Sequence, residues 1–302
     1  MDFDFNLILV PLTLILGAIW LADKFILRQR KQRGKGQESF TVRQAYDFFP
    51  ILMVVLIVRS FIVEPFNIPS SSMVPTLYTG DFITVNKTAY GLRLPLLNTK
   101  VLDTGSPQHG DVAVFRFPEN PKQYYIKRVI GLPGDTVSYD NGVLSINGEA
   151  MPTEQVDFTA NEALVNGLYP EGIEINNETL NEQQAIKLSQ YEESLVSYSK
   201  EKIGEHTHLI RDIDGFESAA RLDATFLREH SPSVVATEGK QWQIKVPEEQ
   251  YFVMGDNRDS SKDGRFWGFV PDKNLAGKAS YIWMHKEAGL KMPSFSRNGS
   301  ID

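Results

Sequence analysis

The 302-residue chain contains no cysteine. That absence excludes disulfide scaffolds, thiolate metal sites and cysteine nucleophiles. Histidine is scarce: His109, His206, His208, His230 and His285 are the full set. Only His206 and His208 lie close in sequence. Alternation along a strand would place both on one face, but no carboxylate cluster at ligand spacing accompanies them, so the pair reads as a strand face rather than a metal site. An excess of positive charge is also missing. The 31 lysines and arginines against 38 acidic residues leave a net charge of -7, which argues against nucleic acid as a partner. Long apolar runs are absent beyond residue 63.

The apolar content is concentrated at the N-terminus. Phe5 to Leu27 is mostly apolar and long enough to cross a bilayer, which takes about 20 residues. Asp2 and Asp4 precede it, and Lys24, Arg28, Arg30, Lys31, Arg33 and Lys35 follow. A cleavable signal peptide has the opposite arrangement, with basic residues first and a small-residue site after. The positive-inside rule therefore places the N-terminus outside and the following loop in the cytoplasm. A second run, Phe48 to Val63, extended backward by Ala45 and Tyr46, returns the chain outward. Arg59 sits near its far end, where it can snorkel to the interface. A buried helical hairpin of a soluble protein is the competing reading; the basic loop favours the membrane. The expected organisation is a first transmembrane helix over 1–28, a basic cytoplasmic loop over 29–44, a second transmembrane helix over 45–63 and an extracytoplasmic domain over 64–302.

From Asp81 onward the pattern turns to β. Phe82–Lys87, Asp111–Phe117, Tyr124–Ile130, Trp242–Val246, Tyr251–Met254 and Lys278–Met284 are rich in β-branched and aromatic residues. Thr136–Tyr139 and Val143–Ile146 flank Asp140-Asn141-Gly142, a hairpin signal because Asn-Gly accepts positive φ. Residues from about 151 to 240 are acidic and polar, and read as an inserted subdomain with its acidic side chains in solvent. Within it Leu188, Tyr191, Leu195 and Tyr198 recur at helical spacing; an amphipathic helix and an irregular strand pair both fit. The fold class is thus mainly β: two N-terminal transmembrane helices followed by an antiparallel β-sheet catalytic domain with an inserted subdomain.

Three stretches carry candidate chemistry. The first is Ile68-Pro69-Ser70-Ser71-Ser72-Met73-Val74-Pro75-Thr76-Leu77. Its prolines fix φ and remove donors, which predicts an extended segment presenting its serines. Alone it also fits a solvated linker. The second is Lys127, in an apolar strand with Tyr125 and Val129 on its face. A serine nucleophile needs a base, and a lysine whose ammonium is disfavoured by burial can serve. An edge or snorkelling lysine is the ordinary alternative. The third is Gly255-Asp-Asn-Arg-Asp-Ser-Ser-Lys-Asp-Gly-Arg265. Its three basic residues offset Asp256, Asp259 and Asp263, so an internally salt-bridged loop fits better than a metal site.

In combination, Pro69–Leu77, Gly80-Asp81, Tyr125-Ile-Lys-Arg-Val-Ile-Gly-Leu-Pro-Gly-Asp135 and Gly255–Arg265, in order behind two apolar spans, resemble bacterial type I signal peptidase, the membrane-bound leader peptidase. The resemblance covers nearly the whole chain. It implies a serine endopeptidase of the bacterial inner membrane that removes signal peptides after an Ala-x-Ala-like site, with preproteins and membrane lipid as partners, no nucleic acid, no metal and no cofactor. It implies Ser72 as nucleophile, Lys127 as general base, and Ser70 with the Ser72 backbone N–H as oxyanion hole. Ser261 would orient the lysine, with Asp263, Arg265 and Arg128 in support. Phe66, Ile68, Met73, Leu77, Ile83, Tyr125 and Ile126 would line shallow substrate pockets. Ser71, Ser260 and Gly264 depart from residues common in the family at those positions: glycine, asparagine and serine. A non-catalytic membrane-anchored β-domain that binds exported chains is the alternative from another class. A self-cleaving repressor-type serine/lysine protease shares the dyad, but the two spans and the lack of a DNA-binding segment count against it.

Overall fold

A computed structural model of the chain describes residues 6–94, 98–140, 142–169, 174–175, 178–214, 235–236, 241–287 and 289–301. His230 and Asn141 fall outside these, as do Asp2, Asp4 and Phe5. Two helical segments come first, Asn6–Leu27 and Phe40–Ile62, each long and apolar enough to cross a membrane. The second starts five residues before the apolar extension at Ala45, because Phe40–Gln44 continue the helical ladder. The two pack through Gly17, where a side chain would collide with the Phe49 ring at 2.7 Å, and through Trp20, whose ring lies 5.4 Å from Phe49. Most of their large apolar side chains face outward, including Leu14, Ile15, Ile51 and Val54. Arg59, at the end of the second helix, pairs with Glu64 at 2.7 Å, so the helix leads directly into the first strand.

That strand, Val63–Asn67, begins an antiparallel sheet with the order Val63–Asn67, Asp81–Asn86, Leu275–His285, Val112–Phe117, Asn120–Gly131, Gln250–Met254, Val270–Pro271. The alternation read from the sequence is visible in Asp81–Asn86, where Asp81, Ile83 and Val85 are buried and Phe82 and Thr84 are half-buried. Two faces of this sheet build two cores. Ile68, Met73, Leu77, Ile83, Val112, Val114 and Ile126 form one; Phe115, Val129, Tyr251, Val253 and Trp267 form the other. The sheet curls strongly, because Phe66 and Tyr124, on strands far apart in its order, place their rings 5.2 Å apart edge to face. The strand Val63–Asn67 pairs with Asp81–Asn86 on one side only. The strand Asn120–Gly131 pairs with Gln250–Met254 only at Arg128, Val129 and Gly131. Among the described residues, the outer edge of Val63–Asn67 and that of residues 124–127 are therefore left without a strand partner.

A second sheet pairs Gln241–Lys245 with Thr136–Asp140, and Thr136–Asp140 with Val143–Ile146. Between its members the chain makes a third sheet of Thr153–Val156, Val196–Ile203 and His206–Ile213, and a helix, Glu182–Glu193, that packs on the short helix Glu162–Asn166. Both forms anticipated for this region occur, a helix and a strand pair. The apolar stripe read from the sequence is not the buried one: Tyr191 and Leu195 are exposed, Tyr198 belongs to a strand, and the helix buries Ala185 and Ser189 instead. Short residues sit there because the helix lies close on its neighbours.

Candidate active site

The segment after Ile68 is not extended. Val74 N–H donates to Ser71 O at 3.1 Å and Leu77 N–H to Met73 O at 2.9 Å, a single coiled turn. The prolines do not prevent this, since neither supplies a donor to those bonds. The turn is nailed down from below: Met73 and Leu77 are fully buried against Ile68, Ile83 and Ile126. As a result Ser72 is 9 % exposed rather than presented to solvent, while Ser70 stays exposed and Ser71 lies between.

Lys127 comes from the middle of the Asn120–Gly131 strand, paired opposite Ala113. Its Nζ lies 2.5 Å from Ser72 Oγ and donates to Ile126 O at 2.9 Å. Only 4 % of the residue is accessible. Burial pushes its pKa down to about 8; the Asp263 and Asp256 carboxylates work against that shift, and Arg265 adds to it. Ser70 Oγ sits 3.5 Å from Ser72 Oγ, at the exposed end of the turn.

The 255–265 loop packs against the serine turn and is laced by charge, as its composition implied. Arg128 forms a two-pronged pair with Asp256 at 2.9 and 2.8 Å, and a further bond to Gly110 O at 2.7 Å. Thr76 Oγ1 donates to the same carboxylate at 2.5 Å, tying the serine turn to the loop. Burial alone would raise the Asp256 pKa, but the charges of Arg128 and His208 hold it below the usual carboxylate range. Asp263 accepts from Arg265 Nε and Nη2, both at 2.8 Å, and from the Gly255 N–H at 2.8 Å. Gly264 leaves no room for a serine there, since a Cβ would lie 2.8 Å from Val253 O and 2.9 Å from the Phe252 ring. Ser261 is buried on Gly255 near Asp263, and its hydroxyl makes no hydrogen bond of good geometry to Lys127.

The structure gathers Phe66, Ile68, Met73, Leu77, Ile83 and Ile126 into one apolar group beside Ser72. Tyr125 lies outside that group, on the strand face that carries Lys127, whose Nζ is 5.7 Å from the Tyr125 ring centroid. The Tyr125 ring also stacks on Phe117, ring centroids 4.3 Å apart. A residue one step from Ile126 must face the opposite way.

Several participants were not singled out from the sequence. Asn257 donates its N–H to Ser72 O at 3.2 Å and its side-chain amide to Ser71 O at 3.1 Å. The inserted region also reaches the loop. Glu201 is buried and pairs with Arg258, with a 2.9 Å bond to Nη1. Burial would raise the Glu201 pKa, but Arg258 and His208 bring it down to about 2. His208 Nε2 lies 3.2 Å from Glu201, whereas His206 faces Asp111 at 3.5 Å. Arg211 is fully buried and pairs with Glu192 and Glu193 at 2.7 and 3.1 Å. The expectation that the acidic side chains of the insert face solvent is therefore corrected for these three: they turn inward because Arg211 and Arg258 need counter-charges once buried. Among the described residues no group of three metal-ligating side chains forms.

A family model described as "Signal peptidase, peptidase S26" matches residues 41–284. A protein of Pseudomonas aeruginosa named Signal peptidase I is 38 % identical, over 100 % of both chains. A Pseudomonas fluorescens protein of the same name is 36 % identical, again over 100 % of both. The crystal structure of a signal peptidase I from Enterococcus faecalis is 24 % identical, with a TM-score of 0.27, covering 58 % of this chain and 97 % of that one. The family-model match and the full-length relatives agree with the four motifs, and the chain belongs to the signal peptidase I family of serine peptidases, family S26.

Proposed function

We propose that the chain removes N-terminal signal peptides from exported preproteins, using Ser72 as nucleophile and Lys127 as general base. The observation that carries this reading is the 2.5 Å approach of Lys127 Nζ to Ser72 Oγ inside a buried, charge-supported pocket. A lysine with its pKa near 8 is neutral in an appreciable fraction at neutral pH and can accept the Ser72 proton. Ser72 Oγ attacks the scissile carbonyl. The ammonium formed is stabilised by Asp263 and Asp256 and returns the proton to the leaving amine. The Ser72 N–H and the Ser70 hydroxyl hold the oxyanion, each such donor being worth about 3 kcal/mol of barrier. Lys127 then activates the water that hydrolyses the acyl-enzyme. Asp263 and Arg265 brace the loop behind the lysine, Arg128 ties that loop to the sheet through Asp256, and Ser261 fills the space beneath Ser72.

The substrate segment adds as a strand between the two unpaired edges, Phe66–Ser70 and Tyr124–Lys127. Phe66 rims the groove, and Met73, Leu77 and Ile83 lie too deep to yield space. The floor is therefore shallow and selects small side chains, as an Ala-x-Ala site provides. The two apolar helices anchor the chain in the bacterial inner membrane, with residues 64–302 on the outer side, residues 29–44 in the cytoplasm and the insert over about 151–240.

Purified Ser72→Ala and Lys127→Ala proteins, assayed on a preprotein with N-terminal sequencing of the product, test the mechanism. Both are expected to lose cleavage; undiminished activity in either would sink it. Protease added to the outer side of sealed vesicles is expected to reach residues beyond 64, and protection of that part would reverse the topology.

A further inference from the structure

The insert is joined to the nucleophile by an unbroken series of directional bonds, and Arg211 is its keystone. Arg211 lies on the strand His206–Ile213, with no accessible surface. Its backbone N–H donates to Asp256 O at 2.9 Å, and its carbonyl accepts from Arg258 N–H at 2.9 Å. The loop is thus zipped to the insert on both sides of Asn257. Nearby, Ile213 N–H donates to Asp259 Oδ2 at 2.8 Å. The Arg211 guanidinium then donates to Asn257 Oδ1 at 3.2 Å. Glu192 and Glu193, at the end of the helix Glu182–Glu193, fix that guanidinium from the other side.

Asn257 has two chemically different ends, and only one arrangement satisfies both neighbours. A guanidinium can only donate and a carbonyl can only accept. With Oδ1 on Arg211, the Nδ2 group faces Ser71 O at 3.1 Å. A flipped amide would set N–H against N–H and oxygen against oxygen. Ser71 O belongs to the same planar peptide unit as the Ser72 N–H, and in a trans peptide the two point in opposite directions. Holding Ser71 O back therefore aims the Ser72 N–H forward. Asn257 N–H on Ser72 O, at 3.2 Å, fixes the following peptide unit in the same way.

We propose that Arg211 is a positioning residue: acting through the Asn257 amide, it sets the plane of the Ser71–Ser72 peptide and so the direction of the Ser72 N–H toward the oxyanion. This rests on the reading of that N–H as an oxyanion donor. It gives the insert a part in the reaction, because Glu192, Glu193 and Arg211 all belong to it. Arg211 touches neither substrate nor Lys127, so its effect falls on the barrier rather than on binding or on the charge of the base.

The test uses the full chain in detergent with a preprotein substrate. Arg211→Met removes the guanidinium and keeps the backbone bonds. A second form adds Glu192→Gln and Glu193→Gln, so that no carboxylate is left unpaired. In both, kcat is expected to fall about tenfold, part of the roughly hundredfold or more that loss of a whole oxyanion donor costs. KM and the pH midpoint of the rate should stay at their wild-type values. Arg211→Met should add nothing further in an Asn257→Ala background. Unchanged kcat in both forms overturns the proposal, as does a fall in kcat accompanied by a moved pH midpoint, which would mark general loosening of the dyad. Ser70→Ala, measured alongside, separates the two layers. If Ser70→Ala is slow while the Arg211 variants are not, the relay fails and the oxyanion hole stands. If Ser70→Ala is as fast as wild type, the reading of the hole fails first.

Discussion

Gly255 lies where the strand Gln250–Met254 gives way to the loop beneath the serine turn, and it is the position where one methyl group should do most damage. Its φ lies outside the left-handed region, so alanine costs nothing in backbone conformation there. The cost is contact. An added Cβ would lie 2.6 Å from Ser261 Cβ and closer still to Ser261 Oγ and to the Ser72 carbonyl oxygen. Restoring ordinary contact takes a displacement of about 1 Å, and a shift of that size in a reacting group can cost about 100-fold in rate. Ser261 can give way by rotation, but Ser72 O is backbone and carries the nucleophile with it. The overpacking itself should cost about 1–3 kcal/mol of stability. Gly255→Ala should therefore remain folded by thermal unfolding while kcat for preprotein cleavage falls about 100-fold. Adding Ser261→Gly should recover little of the rate, because the clash with Ser72 O remains. Activity within twofold of wild type would show that the Ser72 carbonyl does not sit where the loop requires.

Three further outcomes follow from the same geometry. Lys127→Met should abolish cleavage yet stabilise the protein at pH 7 by about 3 kcal/mol, the equivalent of a pKa brought from 10.5 to about 8. The sign follows from proton binding: between those values the unfolded chain holds a proton that the folded chain does not, so wild-type stability rises with pH across that window. The advantage of the variant should fade between pH 8 and 10.5, as read by denaturant unfolding. Asp256→Asn leaves Arg128 buried without its counter-charge and should cost about 3–5 kcal/mol; the double change Arg128→Met with Asp256→Leu should recover most of that in the same unfolding assay. Met73→Ala would deepen the apolar floor under Ser72, and should admit a larger side chain at the cleavage site while costing about 2–5 kcal/mol of stability.

How much of this could be read from the sequence depended on the range of the forces involved. The strand Asp81–Asn86 announced itself because burial at a period of two is written into neighbouring residues, and Val112–Phe117, buried almost throughout, because its residues are β-branched or aromatic. The two apolar helices were equally plain, although the start of the second at Phe40 was not, since Phe40–Gln44 are too mixed in polarity to extend an apolar run. The serine turn was misjudged as extended. Two prolines argue locally for that, but Met73 and Leu77 are drawn into a core built by Ile83 and Ile126, far along the chain. The dyad was legible only through motifs in combination, because nothing near Lys127 in sequence shows that Ser72 will meet it. The insert was the hardest part. Glu192, Glu193 and Glu201 looked like a solvated acidic surface, and their partners Arg211 and Arg258 lie up to 57 positions away. Asn257 was overlooked for the same reason, its contacts with Ser71 and Ser72 spanning some 186 positions.

The central claim is that burial holds Lys127 ready to take a proton from Ser72. The most direct measurement is the titration of the Lys127 side chain itself, followed by NMR of 13C-labelled lysine in the full chain, with the resonance assigned by its loss in Lys127→Arg. The expected midpoint is near pH 8. A Lys127 resonance that stays in its charged position above pH 10 would contradict it.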